Sequence, residues 1–95
     1  MEWQNQDPQP KRWGRVVDVV SDGILYMEDA ERLKLNGVVF PADFKKRNKL
    51  EALLMDLVSD KIIYYIVLDT DRMGRLNVNA WIDEISINDS IQNAE

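Results

Sequence analysis

The side chains available for chemistry are carboxylates and cations. The chain has 17 Asp and Glu, 12 Lys and Arg, and neither histidine nor cysteine. Without imidazole or thiol there is no Ser-His or Cys-His nucleophile, no thiolate metal site and no disulfide framework. Hydrolysis would have to use carboxylates with a hard cation such as Ca²⁺ or Mg²⁺, which prefers oxygen ligands. The concentrated basic patch is Lys45, Lys46, Arg47 and Lys49. Such a run is ordinarily a solvated helix face; its other use is to contact phosphates. Arg75 ends the turn Asp69-Thr70-Asp71-Arg72-Met73-Gly74, where it can pair with Asp69 or Asp71 and fix a hairpin, and Gly74 is expected to supply a positive φ.

These groups sit in 95 residues, enough for one small domain. Its 45% hydrophobic and 31% charged residues are ordinary for a globular protein. The net charge of −5 lowers the expectation of a dedicated duplex binder, which needs a basic surplus. No apolar run approaches the ~20 residues of a membrane span, and the polar N-terminus has no leader pattern. The expectation is a cytoplasmic protein with no membrane partner. Residues 1–12 are expected to form a flexible tail and 13–95 a single domain. Trp3 would either pack loosely on that domain or anchor a partner.

Periodicity predicts three strands at hairpin spacing: Arg15 to Val20, Ile24 to Glu28, and Arg32 to Asn36 followed by Gly37 to Pro41. A helix is predicted at about 42–58, with Asp43 at its start and Leu50, Leu53, Leu54 and Leu57 on one apolar stripe. Lys61 to Leu68 is a long Ile, Tyr and Val strand, and Arg75 to Ile82 alternates. After Asp83-Glu84 no long element is expected. The order βββ-α-ββ predicts a mainly β fold, an OB-type five-stranded β-barrel with one main helix. Such a barrel binds single strands through aromatics on its second and third strands, where Tyr26 and Phe40 are the candidates. Tyr64, Tyr65 and Trp81 are expected in the barrel wall, with Trp81 an interface anchor if it points outward beside Asn77 and Asn79.

Four segments in order resemble the staphylococcal nuclease (thermonuclease) family. Ser21-Asp22-Gly23-Ile24 is similar to its Asp-Gly-Asp-Thr-Val turn, and residues 33–42, Leu-Lys-Leu-Asn-Gly-Val-Val-Phe-Pro-Ala, to its Val-Arg-Leu-Ile-Gly-Ile-Asp-Ala-Pro-Glu. Asp71-Arg72-Met73-Gly74-Arg75 resembles Asp-Lys-Tyr-Gly-Arg, and residues 82–88 resemble Ala-Asp-Gly-Lys-Met-Val-Asn. The likeness covers roughly residues 14–92 and stops before the family's long C-terminal helix, leaving one side open to a partner. It implies metal-assisted phosphodiester hydrolysis, with carboxylates on Ca²⁺, a glutamate positioning water and two arginines clamping the phosphate.

Carried across, that site is degenerate. Asp22 stands for the turn carboxylate and Arg75 is matched. Lys34 replaces the first arginine, Val39 a metal-binding aspartate, and Ala42 the glutamate. Asp43, one residue later, would cap the helix or stand in for that glutamate. Asn88 resembles a buried asparagine that bonds backbone. No catalytic residue, metal or cofactor is expected. Three functional readings follow: a non-catalytic binding module acting through protein contacts or self-association, a weak single-stranded nucleic-acid-binding domain, and a residual Ca²⁺-dependent nuclease. The candidate contact residues are Tyr26, Lys34, Phe40, Lys45, Lys46, Arg47, Lys49 and Trp81.

Overall fold

A computed structural model of the chain describes residues 11–94. Trp3 and most of the expected tail lie outside the described residues. The valine-rich strand β1 (Arg12–Val20) opens at Arg12 and runs into a short 3-10 turn, Ser21–Gly23, where Asp22 (φ 64°) and Gly23 (φ 74°) reverse the chain. Strands β2 (Ile24–Met27) and β3 (Arg32–Leu35) follow, then α1 (Phe44–Val58), β4 (Ile62–Thr70), β5 (Leu76–Ile82), β6 (Ile85–Ser86) and α2 (Ile87–Gln92). No helix among the described residues is long and apolar enough to cross a membrane.

The fold is mainly β, and the sheet order is β3-β2-β1-β4-β5-β6. β3 also pairs in parallel with β5, from Leu33 opposite Leu76 to Leu35 opposite Val78, so five strands form a hydrogen-bonded ring. Irregular registers at Val16/Asp18 and at Val67/Asp69 give β1 and β4 the local bend such closure needs. Inside the ring lie Val16, Leu25, Leu33, Ile63, Val78 and Ala80, with Leu54 and Val58 of α1 and Ile87 and Ile91 of α2 closing the core. Each fully buried aliphatic side chain contributes about 1.5–3 kcal/mol.

Two expectations need correction. The sheet has six strands: β6 is two residues long and pairs with the end of β5, too short to show a period. The C-terminal segment forms only the short helix α2. Ser86 caps it by accepting from the Asp89 N–H at 3.2 Å, and Ile87, Asn88 and Ile91 of its six residues are buried. On α1 the buried line is Leu50, Leu54 and Val58, while Leu57 is half-buried and Leu53 is 44% exposed. Only a narrow strip of α1 meets the ring, and residues four apart advance around a helix by only about 40° per step, so one line suffices. Asp43 caps α1, its Oδ1 accepting from the Lys46 N–H at 3.0 Å.

Candidate functional site

Asp22, Lys34, Val39, Phe40 and Arg75, from four separate stretches of chain, line one open cavity of about 320 Å³ together with Gly23, Ile24, Leu35 and Val38. The turn after β1 carries Asp22, and its backbone N–H donates to Glu51 Oε2 of α1 at 2.9 Å, so the helix holds the turn in place. Gly23 lies under the Phe40 ring: a Cβ there would meet ring carbons at 2.3 Å, and the φ of +74° independently demands glycine. Lys34 stands on the outer side of β3, opposite Asn77. A second cavity of about 260 Å³ adjoins the first, shares Lys34, Leu35, Val38 and Val39 with it, and adds Asp69, Asp71 and Asn77.

Arg75 belongs as much to its turn as to the cavity. Its Nε donates to Asp71 Oδ2 at 2.7 Å, while Asp71 Oδ1 accepts from the backbone N–H groups of Met73 at 2.8 Å and Arg75 at 2.9 Å. These bonds, the backbone N–H of Arg75 foremost, hold the Asp71 carboxyl below its ordinary pKa. Gly74 takes φ +82° in the same turn. Arg32 ties β3 to this turn by donating to the Met73 carbonyl.

The oxygen donors here do not fit a Ca²⁺ ion, which takes about 6–8 of them. Asp22 is the one carboxylate on the first cavity, Val39 presents hydrocarbon at 76% exposure, and Ala42 is not on the lining. Asp43 is engaged as a cap, and both oxygens of Asp71 are engaged within its turn. Among the described residues no three or more carboxylates gather to hold an ion.

Compared with protein-family models, curated proteins and solved structures, the chain matches none.

The other candidate residues lie apart from the cavity. Lys45, Lys46 and Lys49 are exposed on α1, and Arg47 is half-buried with its guanidinium 5.8 Å from the Phe44 ring centroid. Lys46 and Lys49 edge a groove of about 680 Å³ with Pro41, Leu50, Leu53 and Ala94. Tyr26 is exposed on β2 opposite Arg32. Trp81 is half-buried on β5, on the same side as Asn77 and Asn79. Asn88 is buried: its Oδ1 accepts from the Ala80 N–H at 2.9 Å, and its Nδ2 donates to the carbonyls of Asn36 at 2.8 Å and Val78 at 3.1 Å.

Trp81 belongs to a wider surface, to which Trp13 adds a part that was not anticipated. Trp13 on β1 is paired with Tyr64 on β4, and Tyr64 with Trp81 on β5, so the three aromatics form a row across the outside of the ring. Trp13 is 69% exposed and meets Tyr64 edge to face, with centroids 5.8 Å apart and planes at 87°. Lys11 Nζ lies 5.7 Å from the Trp81 ring centroid. Tyr65, by contrast, faces the core. The available signal was the β4 run Ile62-Ile63-Tyr64-Tyr65-Ile66, apolar on both faces as in a strand covered on both sides.

Proposed function

We propose that the ring is an OB-type barrel of the staphylococcal-nuclease kind, and that the chain is a non-catalytic binding module acting through protein contacts. The order of strands and helix, with the closure of β3 on β5, supports the barrel. The observation that carries the functional reading is the cavity holding Asp22, Lys34, Val39 and Arg75. Four of the five positions that the resemblance assigns to a nuclease site line it, Ala42 being the exception, yet they bring one carboxylate, a lysine unable to make a bidentate phosphate contact, and an arginine already bound by Asp71. The exposed aromatic row supports protein contact as the activity, because Trp and Tyr dominate interface energetics.

The test is Ca²⁺ titration with an activity assay. A real site stabilises the fold by about 2.7 kcal/mol at a hundredfold excess over Kd, which would raise Tm by roughly 10–20 °C. The expected shift between chelator and millimolar Ca²⁺ is no more than about one degree, with hydrolysis of denatured DNA at background. A large shift with cleavage that is lost in Asp22→Asn or Asp43→Asn would overturn the reading.

A second reading, weak binding of single-stranded nucleic acid, is favoured by the exposed Tyr26 beside Arg32 and Lys34 on the outer side of β2 and β3. It requires affinity that falls steeply with salt, weakens when Lys34 becomes Ala, and disappears when Lys45, Lys46 and Arg47 become Ala as well. Binding that survives ~0.5 M salt would instead require a stacking platform.

A further inference from the structure

The outer side of β1, β4 and β5 is the least explained surface of the molecule. Pairing fixes which residues share it. Trp13 lies opposite Tyr64 and Tyr64 opposite Trp81, while Arg15 lies opposite Ile62. Continuing the β4–β5 register by two residues brings the turn residue Asp83 level with Ile62. The surface therefore has an apolar centre of Trp13, Ile62, Tyr64 and Trp81, with Ile62 at 54% and Tyr64 at 38% exposure. It has a cationic margin at Lys11 and Arg15 and an acidic margin at Asp83 and Glu84. A solvated sheet face ordinarily alternates to polar, and an apolar patch of this kind with a polar rim marks a contact site.

The charges choose the occupant. A polyanion would suit the β1 margin but meet acid at the β5–β6 turn, in a chain already carrying −5. The edge-on Tyr64 and the Lys11 ammonium near Trp81 also suit side-chain packing better than base stacking. A second copy also carries −5, yet it offers a cationic margin to the acidic one as well as an acidic margin to the cationic one. Let the copy be turned by a two-fold axis running parallel to the strands through Tyr64. Tyr64 then faces Tyr64 of the other copy, Trp13 faces Trp81, and Arg15 faces Asp83. Among the described residues the Arg15 side chain meets an acidic partner at Glu28, at 3.9 Å, an approach loose enough to give way to a second copy. The surface is self-complementary, as a two-fold interface must be.

We propose that two copies of this chain associate through the outer face of β1, β4 and β5, with Tyr64 on the two-fold axis. The proposal rests on the binding-module reading and names its partner. It is tested by sedimentation equilibrium of the full chain at up to about 100 µM, with circular dichroism as the check on folding. The expected result is a dimer. Tyr64→Lys sets two ammonium groups against each other on the axis and should raise the dimer dissociation constant at least about thirtyfold, whereas Tyr64→Phe should leave it within a few-fold. Trp13→Lys, at the more exposed position, serves if Tyr64→Lys does not fold. Arg15→Asp should weaken the dimer, and Arg15→Asp combined with Asp83→Lys should restore it.

A chain that stays monomeric over this range overturns the proposal. So does a dimer indifferent to both Tyr64→Lys and Trp13→Lys, or a monomer that binds oligonucleotide through Trp13. The Ca²⁺ and hydrolysis assays separately decide the binding-module reading, so a monomer inert in both would sink the dimer and leave that reading standing.

Discussion

Arg75 and Asp71 form a closed pair within one turn: the arginine gives Asp71 both its backbone N–H, at 2.9 Å, and its side-chain Nε, at 2.7 Å. A guanidinium so engaged is aimed by its own hairpin. Asp71→Asn should therefore lower Tm by a few degrees and loosen the turn. The carboxylate's pKa is depressed in the fold from an ordinary value of 3.8, so its contribution is complete above about pH 4. It is lost as the pH falls through the lower folded value. Acid denaturation of Asp71→Asn should begin from a less stable protein yet fall less steeply below pH 4, as followed by circular dichroism.

Asn88 joins α2 to the ring through bonds to Ala80, Asn36 and Val78. The Val78 carbonyl has a second partner in the Asn36 N–H, but the Ala80 N–H and the Asn36 carbonyl lose a buried or part-buried contact in Asn88→Ala. Unsatisfied buried groups cost about 1–3 kcal/mol each. The expected loss is roughly 2–5 kcal/mol in urea denaturation, with Asn88→Asp also destabilising because a carboxylate cannot donate to the Asn36 carbonyl. A loss below about 1 kcal/mol would mean that α2 contributes little to the fold.

On α1 the two adjacent leucines should respond differently. Leu54 is fully buried and Leu53 is exposed. Leu54→Ala should cost about 2–5 kcal/mol, and Leu53→Ala should stay within about 0.5 kcal/mol. Equal effects would mean that the helix is rotated about its axis from the orientation described.

Tyr65 gives a prediction at the alkaline end. Burial, and next the negative charge of Asp29, raise its pKa above the ordinary 10.0, against the opposing pull of Arg12. Below pH 10 the phenol is neutral whether the chain is folded or not, and its contribution is intact. As the pH rises from there, the unfolded chain ionises first and stability is lost until the folded phenol titrates too. Tyr65→Phe should remove that part of the alkaline decline in denaturant midpoint. An unchanged slope between pH 9 and 11 would contradict it.

Local signals in the sequence were sufficient for the elements that obey them. β-branched runs bounded by turn residues marked β1 and β4, alternation marked β5, and the leucines with Asp43 marked α1. Elements too short to repeat their own period escaped: β6, and α2, whose start is nonetheless signalled by Ser86 with Asp89 three residues on. The parallel pairing of Leu33 with Leu76 depends on ring closure and leaves no local trace. Alternation told which residues share a face but not which face is wet. Tyr64 and Tyr65 are equivalent by composition, yet one is exposed and the other buried. The cavity residues Asp22, Lys34 and Arg75 are too far apart in the sequence for any spacing rule to bring them together.

The ring also divides the chain in a way that bears on how it reaches its folded state. Residues 12–35 form one meander and 62–86 another, each joined internally by short connections. The two are sewn together along two seams, β1 to β4 and β3 to β5, while α1 spans the gap between them. Neither meander can satisfy its own edge strands, so each alone exposes backbone groups that invite pairing with another chain. Local hairpins can form early, but both seams wait on contacts distant in sequence, which slows closure. During that interval the molecule is most exposed to pairing the wrong edges.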